Sequence, residues 1–219
     1  MTPTKLNGYQ VRTERTKAQL LVAAEEVFAR DGFEGAQMEA IAKAAGRSKG
    51  AIYAHYKSKD DLFLALVEHR TQRFVGIVLD AVLPCPSRAE ALAAFKKAII
   101  NIQNNRNWIV LTIEAKLYSL RNSELRERWL QSAQTLHSED YRSQMQWCKL
   151  IHALFGDITA KQRAEIEARL SAVGPIINGL VLEAEFEPKV FSKKRLAAIT
   201  EELFDVLLRV PSPGLERKA

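Results

Sequence analysis

Residues 45–59 read AGRSKGAIYAHYKSK and combine basic, aromatic and small side chains without an acidic one. Lysine and arginine can bind phosphates, and a small residue lets the backbone approach the edge of a base. The stretch therefore indicates contact with a nucleic acid. From these residues alone, the alternative is a solvated basic face with two tyrosines half in the core.

A metal site is the second chemistry to consider. Cys148 and His152 are four residues apart, a spacing that can place two ligands on one face of a helix. No third ligand follows in a recognisable motif, so we expect no metal and no cofactor. The sequence shows no P-loop, HExxH motif, Rossmann fingerprint or nucleophile elbow, and we expect a protein that is not an enzyme.

Short helices must position the basic stretch. The spacing of apolar residues predicts a chain that is helical almost throughout. A first helix begins near Thr13 and is stopped by Asp31-Gly32, a second spans about 37–44, and a third spans about 48–56 behind a serine cap. Two short helices joined by a glycine turn and buttressed by a longer one predict a helix-turn-helix.

The rest of the chain is predicted to be helical too. A fourth helix begins at Ser58 and ends near Leu83, because Pro84 follows. We place a domain boundary at its start, which gives domains 1–57 and 58–219 in an all-α, two-domain chain. Further helical stretches are predicted at about 88–103, 108–120, 123–155, 160–186 and 192–209.

The composition of the chain argues against several classes of protein. The 219 residues carry a net charge of +6, which permits nucleic-acid binding without proving it. There is no apolar run long enough for a membrane span, and the N-terminus lacks the apolar core of a signal peptide. Two cysteines suggest no disulfide framework. We therefore expect a cytoplasmic protein with no membrane partner.

The segments AAEEVFARDGFEGA and MEAIAKAAGRSKGAIYAHYKSKDDLF carry a family resemblance. Over residues 16–66 the chain resembles the DNA-binding domain of the TetR/AcrR transcriptional regulators. Three positions depart from the family pattern, since Gln37 replaces a frequent Thr or Ser, Arg47 a small apolar residue and Ala51 a frequent Thr. The resemblance implies a dimeric repressor that a small-molecule effector releases from a palindromic operator in double-stranded DNA.

The DNA-contacting residues are predicted on two grounds. The residue types suggest that Lys49 binds guanine or phosphate, that Gly50 admits a base edge and that Ala51 packs on a thymine methyl. The resemblance implies phosphate contacts for Gln37, Tyr53, His55 and Lys59. Ile52 and Tyr56 are predicted to face the core. The full predicted set is Gln37, Arg47, Ser48, Lys49, Gly50, Ala51, Tyr53, His55 and Lys59, with Lys5, Arg12, Arg15 and Lys17 as an arm along the backbone or minor groove. The alternatives are that the Arg47 stem only covers apolar surface and that the arm at Lys5 takes no part in binding.

The C-terminal region is predicted to bind an effector and to form a homodimer. The resemblance implies a cavity between helices, although plain core is the alternative for each aromatic residue. Glu114 could meet a cationic ligand, point to water or pair with an arginine. Apolar surface in excess on the last two helices predicts a partner subunit. The predicted effector residues are Trp108, Leu111, Glu114, Tyr118, Trp129 and Trp147, and the predicted dimer residues are Ile176, Leu180, Leu203, Phe204 and Leu207.

Other functions stay open at this point. Within regulation, the protein could be an activator or a repressor that needs no ligand. Outside regulation, it could be a helical adaptor whose basic face binds an acidic partner.

Overall fold

The computed structural model describes residues 7–103, 105–136, 138 and 147–209, and every regular element among them is an α-helix. The prediction of an all-α fold is confirmed. The N-terminal helices are α1 (Gly8–Gly35), α2 (Met38–Ala44), α3 (Lys49–Tyr53) and α4 (Lys59–Val82). They are followed by α5 (Arg88–Gln103), α6 (Arg106–Arg121), α7 (Ser123–Leu136), α8 (Trp147–Phe155), α9 (Ala160–Phe186) and α10 (Lys193–Leu207).

Side-chain caps fix where several helices begin. Asn7 and Gln10 form a reciprocal capping box at the start of α1, and Thr159 and Gln162 form one at the start of α9. At α4, the Asp61 N–H donates to Ser58 Oγ at 3.1 Å, and the Asp61 carboxylate accepts from the Lys57 N–H at 2.9 Å. These caps satisfy amides that have no partner inside a helix.

Several predicted helix boundaries differ from the structure, among them the end of the first helix, which reaches Gly35 across a break at Gly32 rather than stopping at Asp31-Gly32. The first helix begins at Gly8 rather than near Thr13, because the capping box starts it earlier. The third helix ends at Tyr53 rather than at 56, since the N–H groups of His55 and Tyr56 both bond to the Ile52 carbonyl and the chain turns toward α4. The predicted stretch 123–155 contains α7 and α8, and most residues between them lie outside the described part.

Contacts group the chain into two compact units. The first joins the residues up to Gln72 with Val110–Leu136, and the second joins Arg73–Ile109 with the described residues from 138 onward. The predicted domains 1–57 and 58–219 divide the chain elsewhere and stay a prediction. What the units add is that α6 and α7 contribute to the same unit as α1–α3.

The core of the first unit is aromatic. Phe28, Phe33 and Phe63 are fully buried, with ring centroids 5.0–5.9 Å apart. Tyr118 from α6 packs on Phe33 at 5.2 Å, and Trp129 from α7 packs on Phe63 at 5.8 Å. Such aromatic pairs stabilise by about 0.5–1.5 kcal/mol each beyond the area they bury. α6 and α7 are thus packed onto α1 and the start of α4.

The core of the second unit gathers the apolar faces of α5, α8, α9 and α10. Phe95 and Phe204 meet edge to face, with centroids 6.0 Å apart. The Arg88 side chain donates to the Leu154 carbonyl at 2.8 Å, which satisfies an acceptor near the end of α8. None of the described helices is both long and apolar enough to cross a membrane.

Candidate DNA-binding surface

A small apolar core holds α2 and α3 in a fixed pair. Ile41 from α2 and Ile52 from α3 are both fully buried. Between the helices, Gly46 adopts a φ of 65°, a left-handed conformation that glycine adopts without steric cost. The Arg47 N–H then returns to the Ala42 carbonyl at 2.8 Å and closes the turn. The geometry is that of a helix-turn-helix.

The start of α3 lies on the protein surface. Ser48 is the N-cap, and its Oγ accepts from the Ala51 N–H at 3.2 Å. The next residues, Lys49 and Gly50, are exposed, whereas Ala51 is half-buried. A Cβ added at Gly50 would meet only Ser48 Oγ, at 3.9 Å. The protein itself therefore does not require glycine at position 50, which leaves an approaching partner as a reason for it.

Lys49 is paired in the absence of DNA. Its Nζ lies 2.6 Å from the Glu39 carboxylate of α2 and 5.7 Å from the ring centroid of Tyr53. The hydrogen bond between Lys49 and Glu39 lowers the pKa of the Glu39 carboxyl and raises the pKa of the Lys49 ammonium. Both side chains are exposed, so a DNA phosphate can compete for the lysine.

The other predicted contacts differ in how they are held. Gln37 is the N-cap of α2 but makes no side-chain capping bond, so its exposed amide is available to DNA. The Arg47 guanidinium donates to Gln19 Oε1. The Lys59 Nζ donates to the Glu34 carbonyl at 2.7 Å and lies 5.1 Å from the ring centroid of Phe33. Lys59 is therefore already bonded within the protein, with ammonium protons left for a phosphate.

The aromatic residues of the stretch divide between surface and core. Tyr53 is 41% exposed and stands beside Lys49, whereas His55 is half-buried. Ile52 and Tyr56 are buried, which confirms the prediction that they face the core. Burial, and then the charge of Glu14, raises the pKa of the Tyr56 hydroxyl. Tyr53 is thus the tyrosine that a partner can reach.

The predicted arm belongs largely to α1. Arg12 and Arg15 are exposed on its first turns, ahead of the buried face that begins at Leu20. Lys17 pairs with Glu14 at 3.0 Å. Lys5 lies outside the described residues. A helical arm with two exposed arginines keeps the prediction of a backbone or minor-groove contact open.

The structure assigns the predicted effector residues to different surroundings. Leu111 is buried, and Tyr118 and Trp129 pack on the aromatic core of the first unit. Trp147 belongs to the second unit, where its Nε1 donates to Glu167 at 3.1 Å. Trp108, in that same unit, is half-buried. Leu111, Glu114, Tyr118 and Trp129 thus belong to the first unit and Trp108 and Trp147 to the second, and the effector role of all six stays a prediction.

Glu114 makes a contact that sequence reasoning missed. Its Oε1 accepts from the backbone N–H of Phe33 at 2.8 Å and of Glu34 at 3.3 Å. The Asp31-Gly32 pair signals a break in α1, but nothing local points to a partner 81 residues away. Glu39, which pairs with Lys49, was missed for a similar reason, since the turn between α2 and α3 brings the two together.

The predicted dimer residues also divide. Phe204 is 1% exposed and packs on Phe95 inside the second unit, which leaves no side-chain surface for a partner subunit. An interface role for Phe204 is therefore not retained. Ile176 is 37% exposed. Leu180, Leu203 and Leu207 are half-buried and keep some surface.

A metal site finds no support in the described part of the chain. There, no three His, Cys, Asp or Glu residues are grouped so that they could hold a metal ion. The thiol of Cys148 accepts a hydrogen bond from Arg163 at 3.0 Å, and His152 lies 3.5 Å from Asp157.

Comparison with known proteins finds a family match for part of the N-terminal region. Residues 20–66 match the family described as bacterial regulatory proteins, tetR family. The chain is 33% identical over 94 residues to the transcriptional activator FasR of Mycolicibacterium smegmatis, covering 43% of each protein. It is 27% identical over 177 residues to the transcriptional repressor Rv1474c of Mycobacterium tuberculosis, covering 75% of this chain and 92% of that protein.

The likeness is strongest at the N-terminus. The chain spans about half the length of several curated relatives it matches, with 43–58% of their residues covered. Among solved structures, it is similar to the regulator FadR from Bacillus subtilis in complex with stearoyl-CoA. That likeness has a TM-score of 0.53 and 20% identity, and it covers 89% of this chain and 98% of the other. It supports the same all-helical fold along most of the chain.

Proposed function

We propose that this chain is a member of the TetR family of bacterial regulatory proteins and a sequence-specific, DNA-binding transcriptional regulator. The observation that carries the proposal is the exposed start of α3. There Lys49, Gly50 and Tyr53 stand on a buried core, and an α-helix of this kind fits the major groove of DNA. Because bacterial DNA lies in the cytoplasm, we propose that the protein acts there.

Each exposed group has a different task in such a complex. Lys49 and Gln37 supply donors for phosphates or base edges, and Tyr53 supplies a hydroxyl for the backbone. Gly50 lets the helix approach the bases. Phosphate contacts fix the position of the helix, whereas base contacts choose the sequence. We therefore propose that residues 49–51 choose the DNA sequence. The small side chains among them let the helix approach the bases, and the long, flexible lysine can reach a base edge.

We propose that the protein works as a homodimer. On α9, Ile176 is exposed, and Cβ atoms added at Gly174 or Gly179 would meet nothing within 4 Å. Phe186, at the end of the same helix, is 75% exposed, and Val206 on α10 is 60% exposed. Exposed apolar side chains beside glycines allow a second helix to pack closely. Two-fold symmetry then matches a palindromic operator with half-sites about 34–36 Å apart.

We further propose repression that a small ligand relieves. The relatives include both a repressor and an activator by name, so the sign of regulation rests on experiment. The FadR structure holds stearoyl-CoA, and the aromatic and aliphatic make-up of residues 108–147 suits a lipophilic ligand. A long-chain acyl-CoA is therefore the first effector to test.

The test is selection of duplexes from a random-sequence pool by the full-length protein. We expect an enriched inverted repeat, bound with a steep dependence on salt, because several phosphates are neutralised. Sedimentation of the complex should show two protein chains on one duplex. Enrichment of no sequence, with equal affinity for every duplex, would contradict the proposal. Salt-dependent binding to an acidic protein instead would favour a helical adaptor.

A further inference from the structure

Helix α1 is broken shortly before the helix-turn-helix. Gly32 has a φ of 73° and a ψ of 174°, which are non-helical values inside the span of α1. A break of this kind takes the amides that follow it away from the carbonyls one turn earlier. Phe33 is fully buried, so its N–H needs a partner inside the protein.

Glu114 of α6 supplies that partner. One carboxylate oxygen, Oε1, accepts from the N–H of Phe33 at 2.8 Å and from the N–H of Glu34 at 3.3 Å. The fit around the carboxylate is close, because a Cβ added at Gly32 would lie 2.8 Å from the same oxygen. The glycine thus both makes the break and leaves room for the carboxylate that caps it.

Glu34 also holds the chain where it leaves the α2–α3 pair and enters α4. The Glu34 carbonyl accepts from Lys59 Nζ at 2.7 Å, and Lys59 is the first residue of α4. Gln37, the N-cap of α2, follows three residues after Glu34. The entry to α2 and the exit from α3 are therefore both tied to Glu34, whose own N–H is held by Glu114.

We infer that Glu114 is a positioning residue for DNA binding: its carboxylate fixes residues 33–34 and, through them, the placement of α2 and α3. The inference rests on the proposed function and goes beyond it, because Glu114 lies on α6, outside the helix pair proposed to contact DNA. Hydrogen bonds to a charged acceptor are among the strong ones, and a buried N–H left without one is costly. Without the carboxylate, the segment loses the bond that orients it.

The experiment compares three substitutions in the full-length protein. Glu114→Gln keeps an oxygen acceptor at the same reach, Glu114→Met keeps the length without an acceptor, and Glu114→Asp keeps the charge but shortens the reach. The matched control is Glu127→Met, at an exposed position on α7. The probe is the duplex that the wild-type protein selects, and affinity is measured by fluorescence anisotropy at constant salt.

We expect Glu114→Met and Glu114→Asp to bind the duplex about tenfold more weakly, because neither places an acceptor at the N–H groups of Phe33 and Glu34. Glu114→Gln should stay within about threefold of the wild type, and Glu127→Met should equal it. Amide exchange gives a second measurement. The N–H groups of Phe33 and Glu34 should be protected in the wild type and in the Gln variant and should exchange faster in the Asp variant.

A double-substitution cycle separates positioning from general destabilisation. Gly32→Ala alone should weaken DNA binding because it displaces the Glu114 carboxylate and strains the backbone. In a Glu114→Ala background, only the strain remains, so the same substitution should weaken binding less. Additive losses would overturn the inference.

Three further outcomes decide the matter. Equal affinity of the Gln, Met and Asp variants and the wild type overturns the inference while the proposed function stands. If Glu114→Met fails to fold, the Asp variant with its amide exchange decides instead, and protected amides at wild-type affinity overturn the inference. A wild-type protein that selects no duplex overturns both the inference and the proposed function.

Discussion

Lys49 is the residue where electrostatics in the free protein and in the DNA complex compete. Without DNA, its ammonium is 2.6 Å from the Glu39 carboxylate. A phosphate must replace that carboxylate, and the carboxylate also repels the DNA backbone. Glu39 is therefore expected to weaken binding to every duplex, while base contacts elsewhere keep the preferred one tightest.

The first prediction follows from this competition. Glu39→Gln should tighten binding to unrelated duplexes by about two- to fivefold and make the salt dependence steeper, because an exposed pair of this kind is weak and readily exchanged. Glu26→Gln, which removes the same charge from an exposed position on α1, should change affinity less. Affinity is measured against salt for both. Weaker binding by Glu39→Gln would instead mean that Glu39 accepts a bond from the DNA.

Gly50 offers a test in which folding and binding separate. Nothing in the protein stands within 3.9 Å of an added Cβ, and the position is exposed, so Gly50→Val should fold with little change in Tm. In the major groove, the added methyls would hold the helix away from the bases. We predict a loss of DNA affinity of tenfold or more, about 1.4 kcal/mol. Gly76→Val, the same change at an uncrowded glycine of α4, is the control and should bind normally.

At the scale of elements, the apolar surface of α9 decides assembly. Ile176 is partly exposed in the protomer, and Gly179 lies one turn further along the same helix. We predict that Ile176→Glu gives a monomer at micromolar concentration, because an unpaired charge in an apolar contact costs about 3–5 kcal/mol. DNA affinity should fall with it, since one half-site offers half the contacts.

Sedimentation velocity measures the assembly directly. Leu120→Glu is the control, because Leu120 is a more exposed apolar residue on α6 and its charge should leave a dimer intact. A wild-type protein that sediments as a monomer would refute the dimer. A dimeric Ile176→Glu variant would remove this face of α9 from the interface.

The elements show what local sequence can and cannot predict. Helices α5 and α9 begin and end where periodicity and prolines predict them, and Ser48 caps α3 as its residue type suggests. The bond from Glu114 to Phe33 joins residues 81 apart and depends on tertiary packing, so no local pattern contains it. In α10, core-facing Phe204 shares one apolar stripe with its more exposed neighbours, because a stripe alone does not say what covers it.

At the scale of the whole molecule, regulation requires that the effector and the DNA affect each other's binding. Tryptophans report on both compact units, since Trp129 packs on Phe63 in the first and Trp147 bonds to Glu167 in the second. A ligand that releases DNA must bind the DNA-free protein more tightly. By linkage, the operator must then weaken the ligand's affinity by the same factor that the ligand weakens the operator's.

We therefore predict that stearoyl-CoA changes tryptophan emission and that the selected duplex raises its Kd about 5- to 150-fold, the usual range of allosteric coupling. A Trp129→Phe variant separates the signals, because the emission that remains from residues 108 and 147 reports the second unit. Free coenzyme A is the control for the acyl chain and should bind weakly, since the proposed ligand site favours lipophilic groups. A Kd for stearoyl-CoA that is identical with and without the duplex would show that this ligand, even if bound tightly, does not control DNA binding.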